Sequence, residues 1–266
     1  MKIAVCLKQI LDPDIPAREF KISANSNEAE RGGANLVTNI FCENALETAL
    51  QFKEKAGGGE ITVLSFGAES AEDSLRKALA MTADSACLIV NERFSHPDPL
   101  AVAQVLAAAL NKLGDFDLVL VGRESGDWGA GQIGGLLAEI LDAPCVSFVD
   151  SIEKTADGVR LKRQTGNGME IVEALTPIVL TVTNDDKNVP RVPKTRDVMM
   201  SYRKPLTKFS LSDLGINGEV SGNSYYEVVE LSIPEKNSEC ELATGDSIEE
   251  KVADFARRVM SVTGSM

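Results

Sequence analysis

Apolar and polar positions follow two different periods along the first half of the chain. Short apolar runs rich in β-branched residues predict strands at Lys2–Leu7, 60–66, 86–90 and 117–121. Apolar residues recur at helical spacing between these runs, at 42–55, 70–81 and Pro99–Leu113. Strands that alternate with helices predict an α/β fold with a doubly wound, mostly parallel sheet.

Beyond residue 145 the pattern changes to alternating polar and apolar residues around glycine-containing turns. The segments 146–152, 159–163 and 170–174 predict an antiparallel meander added to the sheet. The run 177–182 predicts one more strand, which leads into a polar loop of mixed charge at 184–196.

From about Tyr202 the sequence is polar and irregular up to a short amphipathic helix predicted at 247–260. We therefore expect an α/β domain over 1–200 and an extended C-terminal arm over 201–266. Such an arm is either a flexible terminus or a segment that wraps another chain.

Net charge and cysteine content exclude several classes of protein. The chain has 40 acidic and 27 basic side chains and a formal charge of −13, which argues against nucleic acid as a partner. No apolar run approaches the ~18 residues of a membrane span, and no targeting peptide is visible, so membrane insertion is not expected. The five cysteines show no CxxC spacing, which indicates free, partly buried thiols in a reducing compartment such as the bacterial cytoplasm.

The sequence offers little for acid–base or metal chemistry. His96 is the only histidine, and its place in His-Pro-Asp-Pro predicts a surface turn before a helix. A metal site or Cys–His catalysis is therefore not expected. The GxSxG, HExxH and GxxxxGK[ST] motifs do not occur. An enzyme that works alone is the least favoured interpretation.

A glycine-rich segment at 122–134 directly follows the strand predicted at 117–121 and leads into a helical pattern. Backbone N–H groups at a helix N-terminus beside the carboxyl end of a parallel strand suit a phosphate. Ser125, Asp127 and Gln132 add groups that suit ribose or phosphate. The alternative is a tight turn that needs glycine for its conformation alone, since the spacing is not GxGxxG. Nucleotide binding is the favoured interpretation.

Two further segments each have two interpretations. Asn39, before the first helix, either caps that helix or presents its amide to an adenine base, and capping is the favoured reading of the residue by itself. The loop 190–196, Pro-Arg-Val-Pro-Lys-Thr-Arg, is either solvated or, stiffened by its prolines, presented to a partner.

The order of these segments resembles the β subunit of electron-transferring flavoprotein, and the resemblance spans nearly the whole chain. The matching segments are Ala-Val-Cys-Leu-Lys-Gln at 4–9, Asn-Ile-Phe-Cys-Glu-Asn-Ala at 39–45, Leu-Arg-Lys-Ala-Leu-Ala-Met-Thr-Ala-Asp at 75–84, Val-Leu-Val-Gly-Arg at 119–123, Leu-Lys-Arg at 161–163, Pro-Ile-Val-Leu-Thr at 177–181 and Asn-Val-Pro-Arg at 188–191. We expect a member of that family.

The resemblance implies a heterodimer with a larger α subunit, which the C-terminal arm would embrace. It implies a redox-active FAD between the two chains and a second adenine nucleotide in this one. Electrons would pass from a dehydrogenase to a quinone reductase or another acceptor, and the flavin would supply the chemistry. By position, the second nucleotide would contact Cys6, Asn39, Ile40, Phe41, Cys42, Phe66, Gly122, Arg123, Glu124, Ser125, Gly126, Asp127, Trp128, Gly129, Ala130, Gly131, Gln132 and Ile133.

The family's docking loop for a partner dehydrogenase corresponds here to Pro190, Arg191, Thr195 and Arg196. A leucine usually anchors this loop in an apolar pocket, and Thr195 takes its place. The change removes ~1–2 kcal/mol of apolar burial. An acyl-CoA dehydrogenase would therefore be docked differently, or the partner is another oxidoreductase.

The second nucleotide is AMP in most members of the family and a second FAD in electron-bifurcating ones. Gly131 and Ile133 resemble the bifurcating pattern, but Asp127-Trp128-Gly129-Ala130 replaces its Asp-Gly-Asp-Thr, and 166–168 also departs from the family signature. Of these residues, Gly131 and Ile133 favour FAD as the second nucleotide. The runner-up function is therefore an NADH-oxidising, electron-bifurcating complex, and the alternative from another class is a nucleotide-sensing regulatory protein without flavin.

Overall fold

The computed structural model describes residues 1–16, 18–23, 28–92, 98–216, 228–233 and 240–264. The chain divides into two compact units, Met1–Leu231 and Ser232–Met266. The strands are β1 Lys2–Leu7, β2 Gln9–Leu11, β3 Leu36–Thr38, β4 Glu60–Gly67, β5 Ser85–Val90, β6 Leu118–Gly122, β7 Cys145–Lys154, β8 Val159–Thr165, β9 Gly168–Ala174, β10 Ile178–Val182 and β11 Leu206–Phe209. The helices are α1 Ile40–Lys55, α2 Glu72–Ala80, α3 Pro99–Leu113, α4 Ile133–Ile140, α5 Thr195–Ser201 and α6 Ile248–Thr263.

Within the described residues, nine strands form one open sheet in the order β11-β5-β4-β1-β6-β10-β7-β8-β9. Pairing is parallel from β11 to β7 and antiparallel from β7 to β9. The predicted α/β class, with its mostly parallel sheet and added antiparallel meander, is confirmed. Strands β2 and β3 form a separate two-stranded antiparallel sheet.

Helices cover both faces of the parallel part of the sheet. Ile3 and Val5 of β1 point into a core shared with α1 and α2, whereas Ala4 and Cys6 point into a core shared with α3 and α4. Successive side chains of a strand face opposite sides, so a strand covered on both sides must be apolar throughout. This explains why the predicted parallel strands have nearly unbroken apolar sequences.

Two elements in the second half of the chain were not predicted. Helix α5 begins inside the predicted polar loop, and β11 lies in the segment that reads as polar and irregular. Strand β11 pairs with β5 at the edge of the sheet, where Thr207 and Lys208 remain exposed. An edge strand needs little apolar content, so its sequence does not look like a strand.

The predicted C-terminal helix is confirmed as α6 in the second unit. The Ser247 hydroxyl accepts from the Glu250 N–H at 3.2 Å, and the Glu250 carboxylate accepts from the Asp246 N–H at 2.8 Å, a reciprocal capping arrangement. One face of α6 carries exposed apolar side chains, namely Ile248, Val252, Phe255, Val259 and Val262. Among the described helices, none has the length and apolar character needed to span a bilayer.

Candidate functional site

The site lies at the carboxyl ends of β1 and β6, two neighbouring parallel strands. A cavity of about 370 Å³ opens there, which we call the main cavity. Its lining residues are Cys6, Leu7, Lys8, Asn39, Cys42, Phe66, Pro99, Val102, Leu106, Val121, Gly122, Arg123, Glu124, Ser125, Trp128, Ala130, Gly131, Gln132 and Ile133. Residues 122–134, the glycine-rich loop, form one wall of it and lead into α4.

Most residues that the family resemblance assigned to a nucleotide line the main cavity. The exceptions are Ile40, Phe41, Gly126, Asp127 and Gly129, which do not contribute to its wall. Ile40 is 51% exposed. Asp127 and Gly126 are instead bonded to Lys8 and Asn39, which do line the cavity. They therefore affect its shape indirectly.

Several lining residues were not among the predicted ones. Pro99, Val102 and Leu106 lie on one face of α3 and form an apolar wall. Their helical spacing is visible in the sequence, but it gives no sign that this face meets a cavity rather than core. Lys8 follows β1 directly, and its charge at the end of a parallel strand is the signal that could have found it.

Asn39 occupies the position before α1, but its side chain makes no capping bond to that helix. Its Oδ1 accepts from the Gly126 N–H at 3.1 Å, and its Nδ2 donates to the Glu124 carbonyl at 2.8 Å and to Cys42 Sγ at 3.3 Å. The favoured interpretation of Asn39 as a helix cap is therefore wrong. Asn39 is 1% exposed, and its amide forms hydrogen bonds with the backbone of the glycine-rich loop instead of with the N–H groups of α1.

Lys8 holds the next part of the same loop. Its ammonium group lies 2.7 Å from the carboxylate of Asp127 and 3.3 Å from the Ser125 hydroxyl. Asp127 also accepts from the Trp128 N–H at 2.9 Å. Since both partners of the ion pair are about one third exposed, its value is mainly in fixing the loop.

Arg123 lies between two aromatic rings at the rim of the cavity. Its guanidinium carbon is 4.3 Å from the centre of the Phe41 ring and 6.0 Å from that of Phe148. The guanidinium also donates to the Glu124 carboxylate at 3.0 Å and to the Thr183 hydroxyl at 3.0 Å. Stacking and hydrogen bonding together fix a planar cation at this place.

A second cavity of about 420 Å³ adjoins the first, and Arg123, Glu124, Gly131 and Gln132 line both. Its other lining residues are Gly135, Leu136, Ser147, Phe148 and Thr181.

Phe148 of β7 lies at the rim of this second cavity. Its φ is +59°, a backbone conformation that glycine adopts freely but a bulky residue rarely does. Its N–H donates to the Thr181 hydroxyl at 3.0 Å instead of to a strand partner. A strained bulky residue held in place by its neighbours is a feature often found at functional sites.

The glycines of the loop have different tasks. A Cβ at Gly122 would lie 2.9 Å from backbone atoms of Phe41 and Cys42, and one at Gly134 would lie 2.2 Å from the Thr181 side chain. Gly129 and Gly131 have φ of +60° and +63°. The Gly126 N–H is bonded to Asn39 and the Gly129 N–H to the Ser125 carbonyl at 2.9 Å. Tight packing and turn conformation therefore explain these glycines, and the N–H groups of 126 and 129 are not available to a ligand.

Cys6 and Cys42 line the main cavity as buried thiols. Burial raises the pKa of Cys6 to about 12. Burial also raises the pKa of Cys42, although the Asn39 amide and the backbone of Lys8 and Gly122 act in the opposite direction. Neither residue is a thiolate near neutral pH, so they form part of the wall and are not nucleophiles. All five cysteines are free; Cys145 and Cys240 are exposed.

Residues 188–204, which we call the docking segment, include the four predicted docking residues. Thr195 and Arg196 are exposed at the start of α5, and Pro190 is half-buried. Arg191 is turned towards α1, where it donates to Glu47 at 2.8 Å and to Glu54 at 2.6 Å. These bonds hold the pKa of the Glu54 carboxyl below its usual range. His96 lies outside the described residues.

The other end of the docking segment is fixed to α2. Arg76 donates to the carbonyl groups of Ser201 at 2.9 Å and Lys204 at 3.2 Å. The Lys204 ammonium donates to the carbonyls of Leu79 and Ala83. Between the two fixed ends, large apolar side chains are exposed at Val192, Val198, Met199 and Met200.

Comparison with known proteins bears directly on this arrangement. Residues 29–214 match the family model of the electron transfer flavoprotein domain. The chain belongs to the electron transfer flavoprotein family. The match runs from before β3 to beyond β11 and includes the glycine-rich loop, the second cavity and the docking segment, whereas Cys6, Leu7 and Lys8 of the main cavity lie before it.

Relatives of this electron transfer flavoprotein chain match over nearly its full length. An electron transfer flavoprotein subunit beta of Thermoanaerobacterium thermosaccharolyticum is 34% identical, covering 98% of each chain. The same-named subunit of Bacillus subtilis is 32% identical over 94% of each. A caffeyl-CoA reductase-Etf complex subunit, CarD, of Acetobacterium woodii is 32% identical over 97% of this chain and 98% of its own. The chain is thus similar to electron-transfer small subunits of the family.

Proposed function

We propose that this β-type subunit binds an adenine nucleotide in the main cavity and, with a larger α subunit, forms the site of a redox-active FAD. The main cavity carries the proposal, because it combines an open rim at parallel strand ends with a loop fixed at several points. A site that is already shaped loses less entropy when the ligand binds.

The residues of the main cavity fit an adenine nucleotide. Phe66, Val102, Leu106 and Val121 provide apolar surface for a planar base. Ser125 and Gln132 provide polar groups near the N-terminus of α4, where a helix favours an anion. Lys8 lies at the same rim, where its ammonium group is paired with Asp127. Ligand pockets of this kind are mostly apolar with a few placed polar groups.

The shared wall between the two cavities favours a dinucleotide over a mononucleotide. An AMP moiety fits the main cavity by itself, and a group attached to its phosphate would continue past Arg123 and Gln132 into the second cavity. Phe148 and Leu136 there suit a planar ring. We therefore propose FAD as the second nucleotide.

A flavin supplies the electron-transfer chemistry when it is bound. The chain's own residues bind and orient it. Arg123 places positive charge between two aromatic rings at the junction of the cavities. The apolar wall formed by α3 excludes water from one side of the main cavity. None of these tasks requires a catalytic acid or base in this chain.

The apolar face of α6 and the docking segment suit two different partners. The apolar face of α6 needs a protein partner, since an isolated helix of this length is marginal in water, and we assign it to the α subunit. The docking segment joins exposed Val192 and Met199 to the exposed charges of Lys194 and Arg196. It therefore suits a redox partner with an apolar pocket and an acidic rim, a dehydrogenase donor or a quinone reductase-type acceptor.

The test is to purify the chain with its α subunit, record the absorption spectrum and identify the released nucleotides. We expect a yellow complex with two FAD per heterodimer. One FAD with one AMP would retain the electron carrier but refute the second flavin. A colourless complex would refute the proposal.

An electron-bifurcating complex is the second candidate, and two flavins are the observation that would favour it. Relatives are named as subunits of a caffeyl-CoA reductase complex and as an acryloyl-CoA reductase electron transfer subunit in Anaerotignum propionicum. A reductase is therefore a reasonable acceptor for this chain as well. Oxidation of NADH that requires two acceptors at once would identify this function; NADH oxidation with either acceptor alone would exclude it.

A further inference from the structure

We propose that Asn39 is a positioning residue, which holds the glycine-rich loop in its nucleotide-binding conformation and does not bind the adenine base. The inference rests on the proposed nucleotide function. It assigns to Asn39 a task that neither of its expected roles, helix cap or base ligand, includes.

The hydrogen bonds of Asn39 leave its amide no donor for a ligand. The Nδ2 group has two hydrogens, and its two acceptors are the Glu124 carbonyl at 2.8 Å and Cys42 Sγ at 3.3 Å. The Oδ1 atom accepts from the Gly126 N–H at 3.1 Å. The amide cannot be reversed, because a carbonyl must receive a hydrogen and an N–H must give one. Asn39 is also almost fully buried, although it lines the main cavity.

These bonds connect the start of α1 to two alternate residues of the loop. Asn39 itself is tied to the end of β1, since its own N–H donates to the Lys8 carbonyl at 2.8 Å. Lys8 then holds Ser125 and Asp127 through its side chain. Asn39 and Lys8 therefore fix successive residues from 124 to 127 from one side. Loss of Asn39 frees 124 and 126 while Lys8 keeps its contacts.

The decisive variant is Asn39→Asp. Aspartate is as good an N-cap as asparagine, and its charge is favourable at a helix N-terminus, so a residue that only capped α1 would tolerate the change. The carboxylate can still accept from Gly126, but it places an oxygen where Nδ2 donated to the Glu124 carbonyl. Asn39→Ala removes all three bonds and serves as the second variant.

Two nucleotides separate positioning from base recognition. AMP and IMP share ribose and phosphate but differ in the 6-substituent of the base. For the full chain freed of bound nucleotide, we expect both variants to weaken AMP and IMP by the same factor, roughly tenfold or more. A larger loss for AMP than for IMP would make Asn39 a base ligand and overturn the proposal. Unchanged affinity would overturn it as well.

Hydrogen exchange gives a readout that does not depend on a ligand. We expect the Gly126 amide to exchange faster in Asn39→Ala than in the wild type, and amides of β7 to β9 to stay unchanged. Equal protection of Gly126 in both proteins would refute the proposal. If the wild type bound no adenine nucleotide but Gly126 lost protection, the proposed function would fail and the positioning role would stand.

Thr62→Val is the matched control. Thr62 is buried and loses one side-chain hydrogen bond, the 3.0 Å contact with Ser85, but it lies near the amino end of β4, away from the cavity. We expect its nucleotide affinities and its Gly126 protection to equal those of the wild type. A loss comparable to that of Asn39→Ala would attribute the effect to general destabilisation and refute the specific role.

Discussion

The glycine-rich loop and the docking segment follow β6 and β10, which are neighbours in the sheet, yet they present opposite surfaces. Side chains at α1 hold both of them, Asn39 before its first turn and Glu47 further along. The loop turns its groups inward around a cavity, whereas the segment turns apolar side chains outward. One helix thus shapes a small-molecule site with its start and a protein-binding surface with its side.

The difference also explains the buried polar residues of α1. Asn44, Glu47 and Thr48 are all nearly inaccessible to solvent, a composition that a helix packed only against a sheet would not need. Asn44 donates to the Asn188 carbonyl at 2.9 Å, and the Asn188 amide donates to the Thr48 hydroxyl at 3.1 Å. These residues shape the docking segment at a cost in apolar burial.

The largest effect is expected from Gly134→Ala, at the end of the glycine-rich loop. The new Cβ would lie 2.2 Å from a methyl group of Thr181, and Thr181 cannot rotate away without losing its bond to the Phe148 N–H. We expect a loss of about 1–3 kcal/mol in the free energy of unfolding, measured in urea. Gly135→Ala, with no atom within 4 Å of its Cβ, should be neutral or stabilising by up to ~1 kcal/mol. Equal stabilities would contradict the packing argument.

Arg191→Ala should release the docking segment and spare the loop. It leaves the buried carboxylate of Glu47 without its cation, and we expect a loss of about 1–3 kcal/mol with unchanged nucleotide affinity. Arg196→Ala, on the exposed part of the same segment, should stay within ~0.5 kcal/mol. A loss of nucleotide affinity in Arg191→Ala would mean that the two regions are coupled.

The ion pair of Arg191 with Glu54 predicts that the stability depends on pH. Arg191 lowers the pKa of Glu54 from its ordinary value of 4.5, so the native state binds fewer protons and the pair stabilises it above that value. This contribution is lost as the pH falls through the lowered pKa. The stability difference between wild type and Arg191→Ala should therefore shrink when urea unfolding is repeated at successively lower pH. A difference that grew would contradict the assignment.

Phe148→Ala should act on the second cavity alone. Loss of the ring above Arg123 should weaken FAD by roughly threefold to tenfold, the value of one stacked aromatic contact, and leave AMP unchanged. Isothermal titration of both ligands measures the ratio. Met169→Ala, an exposed apolar residue of β9, is the control. Equal weakening of both ligands would place Phe148 against the shared part of the nucleotide.

The smallest effect on the chain itself is expected from Thr195→Leu. Thr195 is exposed, so the stability should change by less than ~0.5 kcal/mol. If the docking segment uses the family's contact, the added leucine should lower the KM for an acyl-CoA dehydrogenase by roughly fivefold to thirtyfold, the equivalent of ~1–2 kcal/mol. An unchanged KM would indicate a different anchor, and the exposed Met199 is the first candidate to test.

Periodicity predicted the parallel sheet, its helices and the meander, because those elements follow from residues close together in the chain. The glycine-rich loop was also visible, since it joins a predicted strand to a predicted helix. The role of Asn39 could not be predicted, because its partners at 124 and 126 are distant in sequence and a capping motif was the simpler reading. The α3 wall and strand β11 were missed for the same reason. Only tertiary contacts show that this face of α3 lines a cavity instead of the core, and that residues 206–209 form a strand instead of a loop.

The docking segment leaves the sheet at β10, passes over the side of α1 and α2, and returns at β11 on the far edge. Strand β11 covers β5, and Leu211, Leu214 and Ile216 after it pack against the core. A shortened chain should therefore keep the first part of the C-terminal arm and end after Ile216. Ending before Leu206 would expose β5 as a free edge, which invites strand pairing between molecules and aggregation.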